Sequence, residues 1–188
     1  MNPNGFNGPK LKVMEAMPPL IPGSERDGQL VSEDGREIIS EIQGVDFRPV
    51  TTQADERGSL TEVFSASWGF SDAAVVHIYR VTVFPGQSRG SWVTHLHQTD
   101  RLHFSEGCAR VALYDNRPDS PTHGVLSVRH LGAHKPGLLT IPPGVYHAIR
   151  NVGVTALTFV NLPTAPYEHR NPDKYRLPED TPEIPFRP

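Results

Sequence analysis

The stretch RGSWVTHLHQTDRLHFSEG, residues 89–107, carries two histidines one residue apart, His95 and His97, with Asp100 three residues further on and Gly107 closing the run. In a β-strand, residues i and i+2 share a face, so both imidazoles of this H-x-H would enter one space. Two imidazoles aimed together can bind a metal ion, and either can instead act as an acid or a base near neutral pH. A barrel strand merely rich in histidine fits the same residues, and the run alone leaves all three readings open. A second element, PPGVYHAIRN (142–151), supplies a tight Pro-Gly turn, then His147, then Asn151. The other histidines, His77, His103, His123, His130, His134 and His169, read as strand-surface or loop residues, with His77 or His103 able to face the barrel lumen according to register. Trp92, Tyr79, Tyr114, Tyr146 and Phe104 read first as core or cavity wall.

The elements that must hold these residues are short. Nineteen prolines and sixteen glycines make up nearly a fifth of the 188 residues and sit mostly between brief apolar runs, the composition of an all-β chain. From residue 44 onward, β-like segments such as SLTEVF, WVTHLH, ARVALYD, GLLTIPPG and ALTFVNLP recur at spacings typical of sandwiches and barrels. In VVHIYRVTVF, alternation puts Val75, His77, Tyr79, Val81 and Val83 on one face. Residues 1–43, rich in Pro, Gly and charge, are expected to be a partly ordered arm. The barrel is expected over 44–170, and 171–188 to cover one of its mouths.

The net charge of −3 and the lack of a basic block argue against nucleic acid, and no apolar run is long enough to span a bilayer. A single cysteine, Cys108, and no signal-like start predict a cytoplasmic setting. Individual arginines such as Arg57, Arg89 and Arg117 remain able to bind a small anion, because one phosphate needs only local charge. There is no GxGxxG, P-loop, GxSxG or CxxC, so hydride transfer on a dinucleotide fold and Walker-type ATP hydrolysis have no support.

Together, the two histidine elements resemble the cupin superfamily, whose second motif is P-x-G-x-x-H-x-x-x-N. Pro142, Gly144, His147 and Asn151 match it residue for residue, while the first motif fits only if the turn between His97 and Asp100 is compressed. The resemblance implies a double-stranded β-helix, the cupin jelly-roll barrel. It also implies a ligand set of His95, His97, Asp100 and His147, suited to Fe, Mn, Ni or Zn.

A closer likeness lies within that superfamily. DERGSLTEVF, SRG, ARVALYDNRPDSPTHG, LLTIPPGVYHAI and PY with a following acidic tail resemble, in order, the dTDP-4-dehydrorhamnose 3,5-epimerase family over residues 45–185. That family implies a homodimer without metal or other cofactor, acting on a nucleotide-sugar. A histidine removes the proton beside a ketone, a tyrosine returns one, and arginines hold the diphosphate. Carried over, Arg57 and Arg89 are the phosphate-binding arginines and His95 the base. Tyr167 is the tyrosine of APY, and Asp180, or Glu179 beside it, is the carboxylate partner of the base. Three positions depart from the family. Asn161 stands where a tyrosine is usual and falls among the substrate-binding positions, Asp100 stands for a lysine, and His97 for a glutamine. The chain therefore reads as this scaffold altered at its chemical centre. Three activities follow as expectations: a nucleotide-sugar epimerase or isomerase, a metal-dependent isomerase or oxygenase on a small keto or hydroxy acid, and a non-catalytic sugar-binding cupin.

Overall fold

The computed structural model describes residues 20–69 and 74–188, so the first nineteen residues of the expected arm lie outside the described part. The chain divides into two compact units, one ending at Ile38 and one spanning Ile39–Pro188. In the first, a turn at residues 32–36 is closed by Ser32, whose hydroxyl donates to Asp34 and to the Arg36 carbonyl, and Val31 bridges to Glu37.

The second unit holds the strands β1 (Asp46–Pro49), β2 (Thr52–Asp55), β3 (Gly58–Thr61), β4 (Tyr79–Val83), β5 (Trp92–Thr94), β6 (Asp100–Glu106), β7 (Cys108–Asp115), β8 (Leu126–Gly132), β9 (Gly137–Ile141), β10 (Val145–Asn151), β11 (Leu157–Asn161) and β12 (Tyr175–Leu177). Two antiparallel five-stranded sheets, ordered β1-β9-β6-β11-β4 and β12-β5-β10-β7-β8, form the jelly-roll barrel; β2 and β3 pair separately as a hairpin. Among the described residues the sole helical element is a single turn, Ala66–Trp68, and no helix is long and apolar enough to cross a membrane.

Period-2 alternation decides which side chains meet between the sheets. From β6 come Leu102 and Phe104, from β11 Leu157 and Phe159, from β7 Val111 and Leu113, and from β10 Val145 and Ile149, all buried in one core. The opposite faces of β7 and β10 carry Ala112, Tyr114, Tyr146 and Ala148. These pack with Trp92, Leu177, Ile184 and Phe186, so the C-terminal residues lie on the outer face of the second sheet.

Two sequence features serve this frame. In DNRPDSPTHG, fully buried Asp115 accepts hydrogen bonds from Arg117, Ser120 and Thr122, which hold its carboxyl far below the usual range against the opposing effect of burial. The motif is thus the pin of the β7–β8 loop. Gly107 turns the chain from β6 to β7 with φ +70, and a Cβ there would lie 2.6 Å from the Leu157 Cα.

Candidate functional site

At one end of the barrel the inward-facing positions change from apolar to polar. On β6, counting back by two from Phe104 and Leu102 gives Asp100; on β11, counting forward from Leu157 and Phe159 gives Asn161; on β4, Val83 and Val81 lead to Tyr79. Register then brings these three ends together, because Asn161 pairs with Tyr79 on one side and with Leu102 on the other. On the facing sheet, His147 lies between the inward residues Val145 and Ile149 of β10, opposite Val93 of β5. His95 follows β5 by one residue.

Asp100 is the hub and is almost wholly buried. Its Oδ2 lies 3.2 Å from Nε2 of His95 and 3.4 Å from Nε2 of His147. Its Oδ1 accepts from Gln98 Nε2 at 2.6 Å and from Asn161 Nδ2 at 2.9 Å. The two imidazoles are roughly stacked, with centroids 6.0 Å apart. Burial by itself would raise the Asp100 pKa, but hydrogen bonds and charge from His147 and His95 outweigh it and hold the carboxyl well below its ordinary value. For His95 burial favours the neutral ring. Asp100, together with the Asp173 carbonyl that meets Nδ1, overcomes this and raises the pKa, against a small opposing push from Lys174.

Asp173 also decides where the histidine run ends. Its carboxylate accepts the backbone N–H groups of Leu96, His97 and Gln98 at 2.8, 2.9 and 2.9 Å, which folds residues 95–98 into a turn. These bonds outweigh burial and keep the Asp173 carboxyl below its usual range. The strand stops at Thr94, so the alternation expected for H-x-H does not continue: His95 is buried while His97 is exposed and outside the cluster. The metal-type set brought together is His95, Asp100 and His147, with one donor atom from each within 4.8 Å of the others.

Beside this cluster lies a cavity of about 290 Å³ with an apolar floor of Val93, Leu102, Ile149 and Phe159 and polar walls that include Tyr79, Asp100, His147 and Asn161. Arg89, Lys174 and Arg176 form a cationic rim. Backbone pairing positions it: Arg89 N donates to the Ile149 carbonyl, and β12 pairs with β5. The Lys174 pKa is lowered, first by burial and then by Arg176 and Arg89 nearby.

Tyr79 projects from β4 across the cavity from His147, and its hydroxyl oxygen accepts from Asn161 Nδ2 at 2.7 Å. Burial, then the charge of Asp100, raises its pKa; the Asn161 hydrogen bond and Arg89 act in the opposite direction. The Asn161 amide orientation is fixed because Oδ1 accepts the Arg101 N–H at 3.2 Å.

Several expected residues lie elsewhere. Tyr167 is exposed and stands edge-on to His169 in an outer groove, which also includes Tyr79, Arg89, Lys174 and Arg176. Arg57 sits at the tip of the β2–β3 hairpin with its guanidinium on Asp55, away from the lining of the cavity. Asp180 is exposed and Glu179 pairs with Arg150 at 2.8 Å, so neither is the partner of His95; in this chain Asp100 and the Asp173 carbonyl take that place. Asp173, Lys174 and Arg176 escaped the sequence reading, although DKYR directly precedes the acidic tail that drew attention.

No protein-family model matches the chain. It is 34% identical over 140 residues to a probable low-salt glycan biosynthesis epimerase of Haloferax volcanii, covering 74% of this chain and 89% of that protein. Over 156 residues it is 33% identical to a spore coat polysaccharide biosynthesis protein of Bacillus subtilis, covering 77% and 95%. A crystal structure of a dTDP sugar isomerase from Desulfovibrio desulfuricans superposes with a TM-score of 0.70 at 30% identity, over 77% of this chain and 90% of that one.

Proposed function

Because the chain belongs to the cupin sugar epimerases, as a divergent member of the dTDP-4-dehydrorhamnose 3,5-epimerase type, we propose that it is an enzyme that inverts a carbon beside the ketone of a nucleotide-linked 4-keto-6-deoxy sugar. The observation that carries this reading is a buried carboxylate shared by two imidazoles at the edge of a cavity with a cationic rim.

The proton beside a ketone is only weakly acidic, so its removal needs a placed base and stabilisation of the enolate. His95 is the base. With Nδ1–H donated to the Asp173 carbonyl, the neutral ring holds its Nε2 lone pair 3.2 Å from a carboxylate oxygen. That placement makes proton uptake favourable, and the resulting imidazolium is paired with Asp100. His147 holds the carboxylate from the other side. Lys174 lies beside the same cavity as a cation able to offset enolate charge. Arg89 and Arg176 flank the entrance, where planar guanidinium groups suit a diphosphate.

The test uses dTDP-4-keto-6-deoxyglucose in deuterated water. The wild type incorporates deuterium next to the ketone, and His95→Asn, shown to be folded by circular dichroism, loses this by about 10²–10⁴-fold. A folded wild type that neither binds dTDP nor exchanges any carbon-bound hydrogen overturns the reading.

One observation favours a second reading. Separations of 3.2 and 3.4 Å between the imidazole nitrogens and Asp100 Oδ2 are near those of ligands around a tetrahedral ion with bonds of about 2.0–2.1 Å. His95, Asp100 and His147 would then hold Fe, Mn, Ni or Zn, which would act as a Lewis acid at a carbonyl oxygen. Elemental analysis of tag-free protein decides: near-equimolar metal that is lost in His147→Ala supports this reading, and full occupancy in that variant overturns it.

A homodimer is also proposed. Among the described residues β4 is an edge strand of its sheet, and next to it Val76, Ile78 and Phe84 are 52%, 60% and 71% exposed.

A further inference from the structure

Inverting a carbon centre requires a proton to leave from one face and another to arrive on the opposite face, so a base needs an acid across the substrate. The cavity has two such walls, built from different sheets. His147, on β10 of one sheet, lines the cavity and shares Asp100 with His95, which lies at the cavity's edge; Tyr79 stands on β4 of the other sheet. From this geometry we infer that Tyr79 is the catalytic residue that delivers the second proton. The inference rests on the epimerase reading and deepens it.

Three features of Tyr79 support the assignment. It lines the cavity, so its hydroxyl is within reach of anything bound there. Asn161 acts as the donor in their hydrogen bond, so the phenol's own hydrogen is not used by that contact. Once the proton has gone, the same Asn161 N–H is left facing a phenolate, a charge-assisted hydrogen bond that supports the departing state. Tyr167, the tyrosine expected from the sequence, stands in the outer groove and is absent from the inner lining. Asn161 itself is an amide and has no proton to give at neutral pH. Its two N–H bonds instead tie Tyr79 to Asp100, joining the acid on one wall to the carboxylate that carries the base.

The step balances without a further reactant. The base takes the proton from the carbon beside the ketone, and the C–H electron pair moves into the enolate. A new C–H bond forms on the opposite face as the Tyr79 O–H bond breaks. The tyrosine is left as phenolate and the base carries one extra proton; exchange with water restores both.

The experiment is Tyr79→Phe with dTDP-4-keto-6-deoxyglucose in deuterated water, following exchange and inversion separately by NMR. The expected result is retained dTDP binding and retained deuterium incorporation, with inversion slowed by about 10²–10⁴-fold. The substrate is then labelled without change of configuration. If Tyr79→Phe inverts at the wild-type rate while the wild type exchanges normally, this inference is overturned and the epimerase reading stands. A wild type that exchanges nothing overturns that reading and this one with it. Should Tyr79→Phe fail to fold, fluorotyrosine incorporated at position 79 keeps the shape and makes the phenol more acidic. The alkaline limb of the inversion rate must then move to lower pH, and an unmoved limb overturns the assignment.

Discussion

Asp100 is the residue on which the site balances, and its two directions of pKa coupling give separate predictions. A carboxylate this buried is tolerable because it is paired; Asp100→Asn removes the charge that both imidazoles face, and is expected to lower the urea midpoint. The His95 pKa is raised above 6.5, and the base must be neutral to act, so kcat/KM should climb with pH through a midpoint above 6.5. In Asp100→Asn that limb should shift to lower pH, because the raising influence is gone. The stability linkage has the opposite sense. The folded His95 ring binds its proton more tightly than the unfolded one, so its contribution is complete below pH 6.5 and is lost as pH rises through the folded value. Asp100, depressed on folding, contributes above 3.8 and loses its contribution as pH falls toward its folded value. Urea midpoints measured from pH 3 to 9, wild type against Asp100→Asn, check both signs.

At the scale of elements, the turn at residues 95–98 is the part the sequence did not reveal. Asp173→Ala removes the acceptor of three backbone N–H groups and is expected to cost about 1–3 kcal/mol, with kcat falling more than KM changes, because His95 loses its fixed orientation. A local pattern such as H-x-H reports alternation only while the strand lasts. What ends β5 is a carboxylate more than seventy residues away, so the place of His95 in the site was legible and its separation from His97 was not. Asp100 and His147 were legible through the two cupin-like motifs, Asp100 by its distance from Gly107 and His147 by its place after the Pro-Gly turn. Tyr79 looked like one wall residue among several, since its contact with Asn161 exists only through the β4–β11 register. Arg57 matched a short motif whose hairpin pairs with itself, and Asp180 lay only seven residues from Asp173, too fine a distinction for composition. The closing glycine carried a clear signal: Gly107→Ala combines a left-handed φ with a backbone clash and should lower stability by more than the usual ~1 kcal/mol glycine effect, read as a fall in Tm.

For the whole molecule, alternating short segments and turn chemistry were sufficient to anticipate the barrel, because buried strands on two facing sheets impose the same period everywhere. The exposed apolar edge beside β4 predicts a dimer by light scattering, and Ile78→Asp with Phe84→Asp should give a folded monomer. The docking of the C-terminal residues on the second sheet bears on how the protein is made. His95 obtains its tautomer from Asp173, and the cationic rim gains Lys174 and Arg176 from the same late segment. A chain emerging from the ribosome can therefore pair most of its strands and still lack the contact that orients His95, the proposed base. During refolding, the far-UV strand signal should return first and turnover only afterwards, with the interval between them measuring how long the last strand takes to find its place.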